Sequence, residues 1–193
     1  MLDNEVKNIL FAGVGGQGIL RASDIVCEVM MKAGWDVKKS EVHGMAQRGG
    51  CVTSHIRYGK KVYSPLAEAG SVDIMVSFEK MESLRYLTFL KKEASIIVND
   101  DEIFPPEVNL GEAEYPIDII GFLKNNFKKV VLVNASDKAK KAGNVKAANV
   151  VLLGALSNFI NVEKSSWQEV IYSAFPEKLK KLNWDAFQMG IDA

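Results

Sequence analysis

Cysteine is scarce in this chain. Its 193 residues include two, Cys27 and Cys51, and neither belongs to a C-x-x-C pair. A four-cysteine iron–sulfur or zinc framework is therefore excluded for this chain alone. Two unpaired thiols also fit a reducing compartment better than a disulfide scaffold. Net charge is missing as well, with 24 lysines and arginines against 24 aspartates and glutamates. That balance removes the electrostatic drive on which nucleic-acid binders rely. No apolar run approaches the ~18 residues of a membrane span, and "MLDNEVKNIL" has neither the basic start nor the apolar middle of a secretory leader. A cytoplasmic location is expected. Repeats, low-complexity tracts and long linkers are absent, as are G-x-S-x-G, H-E-x-x-H and a P-loop lysine.

What remains is an ordinary globular composition, 48% apolar and 25% charged, at a length suited to one domain over residues 1–193. The apolar run "VKNILFA" predicts a strand that ends in glycines. From Gly16 the pattern turns helical: Ile19, Ala22, Val26, Val29, Met30 and Ala33 share one face, while Arg21, Asp24, Glu28 and Lys32 share the other. Gly34 closes that helix, and "WDVKKSE" begins a second strand. "CVTSHIRYG" alternates as a strand does, and Gly59-Lys60 predicts a tight reversal into a hairpin. "DIMVSFE", "ASIIVND" and "KKVVLVNAS" suit buried parallel strands, with a helix over "EKMESLRYLTFLKK". Asn144 is placed to cap a helix over "NVKAANVVLLGALSNFI", and Ser165-x-x-Gln168 predicts a capping box for the next. The expected fold is α/β.

Two stretches carry chemistry. In "FAGVGGQGILRAS", Gly13-x-Gly15-x-x-Gly18 has the letter and the strand-to-helix setting of a dinucleotide fingerprint. Unpaired first-turn amides and the helix dipole would hold an anion there; tight strand–helix packing explains the same glycines. The acid that should hold a ribose about 20 residues on falls in "KKSE", where Lys38 and Lys39 precede Glu41. A simple NAD site is poorly supported, although lysines suit a 2′-phosphate. The second stretch, "EVHGMAQRGG", combines an acid, an imidazole, an amide and a guanidinium. His43 could act as an acid or base, and Arg48 could clamp a phosphate or carboxylate. A solvated loop with His43 and Arg48 paired to Glu41 is the alternative.

"GVGGQGIL", "SEVHGMAQRGG", "SPL", "DIMVSFE" and "GNVKAANVVLLGAL" resemble, in order and spacing, the gamma-type domain of 2-oxoacid:ferredoxin oxidoreductases, in its indolepyruvate form. The resemblance runs from about Asn8 to the last helices. "EVHGMAQRGG" is its specific part, since pyruvate-type members carry an "E-x-G…RRG" version there. The resemblance implies a three-layer α/β/α sandwich around a mostly parallel sheet, to which the reversal expected at Gly59-Lys60 adds a β-hairpin insertion. It implies oxidative decarboxylation of a 2-oxoacid, indolepyruvate or another arylpyruvate, on thiamine diphosphate. Electrons then pass through iron–sulfur clusters to ferredoxin, and an acyl-CoA is released. Thiamine diphosphate and the clusters belong to a larger companion subunit, and coenzyme A is a co-substrate. The residues that match the family motifs are Gly13, Gly15, Gly16, Gln17 and Gly18, then Glu41, His43, Gly44, Met45, Gln47, Arg48, Gly49 and Gly50. On this reading Arg48 and the loop amides stabilise an anion, a cofactor diphosphate or the CoA phosphates, and His43 and Gln47 shape the pocket. Isolated from its companion, the chain should expose an apolar patch and self-associate through it.

Other residues are explained by structure alone. Glu79 at a helix start suits the dipole, and Asn99, Asp100 and Asn134 suit turns at strand ends. His55 reads as structural. Trp35, Trp167 and Trp184 read as packing residues, Asn149 as a close-packing contact, and Cys51 lacks the adjacent base of a nucleophile. Two rival functions stay open: a stand-alone NAD(P)-dependent oxidoreductase, and a binding or regulatory module that keeps the fold.

Overall fold

The β-prone run and the first amphipathic stretch form as the sequence predicts. Lys7–Val14 is strand β1 and Ile19–Lys32 is helix α1. The computed structural model describes residues 5–43 and 50–193, with His43 described by its backbone. In α1, Ala22, Ile25, Val26, Val29 and Met30 are buried while Arg21, Asp24 and Glu28 are exposed. The helix ends where Gly34, at φ 87°, supplies a left-handed residue, and the Trp35 amide donates back to the Met30 carbonyl at 3.1 Å.

The other strands are β2 (Asp36–His43), β3 (Cys51–Gly59), β4 (Val72–Ser77), β5 (Leu90–Asn99) and β6 (Lys129–Val133). Their order in one six-stranded sheet is β2-β3-β1-β4-β5-β6. All run parallel except β3, which pairs antiparallel with β1 and β2. The remaining helices are α2 (Lys80–Arg85), α3 (Pro106–Asn109), α4 (Ile119–Asn126), α5 (Ala135–Ala142), α6 (Ala148–Ser157), α7 (Lys164–Ala174) and α8 (Glu177–Ile191). Strand alternation sends Ile9 and Phe11 into one apolar layer with α1, α5, α6, α7 and α8. Leu10 goes to the opposite layer with Ile119 and Leu123 of α4. The three-layer α/β/α arrangement is thus present.

Three local expectations need correction. The antiparallel pair joins β2 to β3, with Asp36 opposite Gly59, so no hairpin turns at Gly59-Lys60. The chain after Gly59 is instead tied down without a strand: Arg57 Nη1 donates to the Ser64 and Leu66 carbonyls, each at 3.0 Å. The helix expected over residues 79–92 stops at Arg85, because Leu90 already pairs with Val72 in the β4–β5 ladder. The capping box at Ser165 does not form; the N-cap of α7 is Glu163, two residues earlier, with no side-chain cap bond. Asn144 caps a short 3-10 turn over Val145–Ala147 that leads into α6, its side chain accepting from the Lys146 amide at 3.0 Å, while α6 itself starts at Ala148 with no side-chain cap.

Helix α6 is apolar all round, and every residue from Asn149 to Leu156 is buried. It crosses α8 where Gly154 and Gly190 meet, and a Cβ on either glycine would run into the other helix's backbone.

Candidate functional site at the glycine loop

The carboxyl ends of parallel strands are where an α/β sheet meets its ligands, and here the β1–α1 loop stands at that edge. Gly16 (φ 100°) and Gly18 (φ 77°) take left-handed conformations that other residues adopt at a cost. Gln17 holds the loop from both sides: its Oε1 accepts from the Val14 amide at 2.8 Å and its Nε2 donates to the Phe78 carbonyl at 2.8 Å. Asn149 of α6 donates to the Gly18 carbonyl at 3.2 Å. The Gly15 amide donates to the Gly50 carbonyl at 2.9 Å, so the two predicted glycine stretches meet.

The glycines divide by role. A Cβ on Gly13 would stand 2.7 Å from both Gln17 Oε1 and Phe78 Cβ, and one on Gly18 would stand 2.6 Å from Asn149 Nδ2. Those two positions are packing requirements. A Cβ on Gly16 would meet nothing within 4 Å; there the bare backbone faces open space. Tight packing thus accounts for Gly13 and Gly18 and leaves Gly16 without a packing reason.

A cleft of about 510 Å³ opens beside Gly16, Gln17 and Gly18. Lys146 and Asn149 approach from the α6 side, and Asn99, Asp101 and Ser136 from the ends of β5 and β6. The Asp101 carboxylate accepts from Asn99 Nδ2 at 2.8 Å and from Ser136 Oγ at 2.6 Å. Asn99 also donates to the Phe78 carbonyl at 3.2 Å, and its Oδ1 accepts from the Ala135 amide at 3.0 Å. One amide therefore ties together β4, β5 and α5. The first-turn amides of α1 and the Lys146 ammonium give the cleft positive character against the single Asp101 charge.

Of the second predicted stretch, Glu41 lies in β2, where Lys39 reaches it at 2.6 Å and also pairs with Asp24. His43 ends the β2 ladder opposite Val52. Gly44, Met45, Gln47, Arg48 and Gly49, with the His43 side chain, lie outside the described residues. Strand β3 separates β2 from β1, so the end of β2 stands two strand spacings, roughly 10 Å, from the glycine loop. A dinucleotide site needs that strand beside β1, which argues against the stand-alone NAD(P) reading.

On the other side of the loop lie Glu79, at the helix start the sequence predicts, and Glu82, which the sequence does not single out. Glu79, fully buried, caps α2 by accepting from the Glu82 amide at 2.9 Å. Its Oε1 accepts from the Ile103 amide at 3.3 Å and from the Tyr115 hydroxyl. Burial and that carboxylate push the Tyr115 phenol up. Glu82, 2% exposed, accepts at Oε1 from Arg85 Nε at 2.8 Å and from the Cys51 thiol at 3.4 Å. Burial raises the Glu82 carboxyl despite Arg85, and burial with Glu82 nearby raises the Cys51 thiol. Cys51 is thus no activated nucleophile, and Cys27, in the core, is pushed up to about 12 by burial. Glutamates at helix starts are common, and nothing in one sequence told Glu79 and Glu82 from solvated ones. Asn134, at the strand end where a turn is expected, caps α5, and Trp167 and Trp184 pack around Phe187, with centroids 5.3 and 5.2 Å away.

The sequence profile of the family described as "Pyruvate ferredoxin/flavodoxin oxidoreductase" matches residues 8–193. The chain belongs to that family. It is 43% identical to the "Indolepyruvate oxidoreductase subunit IorB" of Archaeoglobus fulgidus, covering 95% of this chain and 92% of that protein. It is 39% identical to the protein of the same name from Thermococcus kodakarensis, covering 96% and 95%. Among solved structures it is similar to the gamma subunit of a keto/oxoacid ferredoxin oxidoreductase from Geobacter sulfurreducens. That match has a TM-score of 0.72 at 25% identity and covers 96% of each chain. It also overlays 31% of the longer 2-oxoglutarate:ferredoxin oxidoreductase chain of Magnetococcus marinus, at TM-score 0.77 and 22% identity, a likeness of fold. Family members thus occur as subunits of indolepyruvate and other 2-oxoacid oxidoreductases.

Proposed function

We propose that this chain, one domain over residues 1–193, is the small subunit of a 2-oxoacid:ferredoxin oxidoreductase of the indolepyruvate type. The observation that carries the reading is the near-full-length similarity to relatives named as indolepyruvate oxidoreductase subunits, joined to a glycine loop held open at Gly16. A larger companion carries thiamine diphosphate and the iron–sulfur clusters, and ferredoxin takes the electrons. Of the two cysteines, Cys27 is in the core and Cys51 is bonded to Glu82, so a cluster does not fit this chain. A phosphate fits the cleft: Gly16, Gly18 and the first turn of α1 would hold it by amide donation, and Lys146 by charge. Bound to the companion, thiamine diphosphate would supply the nucleophilic carbanion and the electron sink that decarboxylation needs. This chain's part is to hold and orient an anionic group, the cofactor diphosphate or the phosphates of coenzyme A, with Arg48 adding a guanidinium. Ile103, Phe104, Leu110 and Ile117, 38–93% exposed, offer the companion an apolar surface.

Co-expression with the companion, followed by assay with several 2-oxoacids and ferredoxin, tests this. Turnover should need both chains, and Arg48→Ala should lower it about 10²-fold with assembly unchanged on gel filtration. A dinucleotide that binds the isolated chain tightly, or full oxoacid oxidation without a companion, would overturn the reading.

A further inference from the structure

We propose that two copies of this chain pair through the face of the sheet that carries α2 and α4, an acidic strap of each seated in a basic groove of the other. Charge that sums to zero over the whole chain is sorted along this face. Residues 100–118 hold seven acids and neither lysine nor arginine. Lys80 pairs with Asp100 and Glu102, while Glu107, Glu112, Glu114 and Asp118 stand exposed. Among them Phe104, Leu110 and Ile117 expose apolar surface. Glu79 pins this strap at two points, the Ile103 amide and the Tyr115 hydroxyl, so its shape is set before any partner arrives.

The complement lies on the same molecule. A groove of about 460 Å³ runs between Leu87, Leu90, Phe122 and Phe127, with Lys91 and Lys92 at its edge. Residues 87–92 and 122–129, which build it, hold five lysines and no acid. Asp73 holds Lys91 at 2.7 Å; Lys92, Lys124 and Lys128 stand exposed. Leu87, Leu90 and Phe127 share their apolar layer with Tyr115 of the strap, so both surfaces belong to one face. Strand β5 begins in the groove at Leu90 and ends beside the strap at Asn99, which sets the two roughly 30 Å apart. No copy can therefore fill its own groove. A two-fold axis across the strands turns a second copy over and end for end, bringing each strap onto the other's groove. Two equal contacts result and the pair closes. Apolar burial holds it, and the opposed charges set its direction.

This pairing gives definite surfaces to the self-association expected of the isolated chain, and it goes beyond the proposed role in the enzyme. The companion would compete with the second copy for the strap. The test follows the mass of the full chain by analytical ultracentrifugation over a range of concentrations, in low and in high salt. A dimer that grows no further is expected, with a dissociation constant about ten-fold higher in high salt. One variant reverses the strap (Glu107→Lys, Glu112→Lys, Glu114→Lys) and a second the groove (Lys92→Glu, Lys124→Glu, Lys128→Glu). Each alone should be monomeric, and an equimolar mixture should recover the dimer. Should either variant fail to fold by circular dichroism, the mass and salt response of the unaltered chain still decide. A monomer at every concentration, growth beyond the dimer, or folded variants that stay monomeric when mixed would overturn the proposal. Because mass is read and not turnover, failure of the oxoacid assay would leave this result standing.

Discussion

On one face of the sheet, five helices bury a continuous apolar layer that includes Trp167, Trp184 and Phe187. On the other face the apolar layer is smaller and rests on α4 and the short α2. There polar groups hold the chain: Glu79 takes donors from α2, from Ile103 and from Tyr115. The thick side is held by area, and area tolerates no gaps. The thin side is held by a few directed bonds, which leave room for a pocket between them. The cleft beside Gly16, by contrast, opens on the thick side, against Ser136, Lys146 and Asn149.

The contrast can be broken by substitution. Trp167→Ala, on the thick side, should cost about 3–5 kcal/mol in urea unfolding. Leu123→Ala, on the thin side, should cost nearer 2 kcal/mol, because the smaller apolar layer around it can close over the cavity; equal losses would mean the two layers are energetically alike. Gly18→Ala should cost about 1–2 kcal/mol for its left-handed backbone, with a further loss from the Asn149 contact that Asn149→Ala should partly recover. Tyr115→Phe should cost about 1.5 kcal/mol and loosen residues 103–115 in hydrogen exchange without touching α6. The smallest effect concerns His55, 5% exposed on the thin side. Burial lowers its pKa, so at acid pH the unfolded chain binds a proton that the folded one refuses. Its contribution is complete above the ordinary imidazole range and shrinks as pH falls through it. The stability difference between the unaltered chain and His55→Phe should therefore change between pH 7 and pH 5; a constant difference would remove His55 from this account.

Much of this was legible from local pattern. The α1 face and the Gly34 stop follow from 3.6-residue spacing and one left-handed position, and Cys51–Gly59 follows from alternation. What pattern could not show is partnership. Whether β3 pairs with β2 or turns back at Gly59 depends on residues 36–43, and whether residues 87–90 stay helical depends on Val72. Both are settled by contacts distant in sequence. The same limit holds at the site. Four glycines in six positions announced a special turn, but their division into packing glycines and an open one rests on where Phe78 and Asn149 come to lie. Asn149 was read as a packing residue and is one, with Gly18 of the same chain as its partner.

Gln17 has one more implication. Because its amide bridges Val14 and Phe78, the turn is already in its working shape before anything arrives. For the anion proposed above, capture would involve no rearrangement to wait for, and the encounter rate should follow salt concentration as a simple collision between opposite charges does. Removing that amide would make the same turn a slow, adaptive receiver.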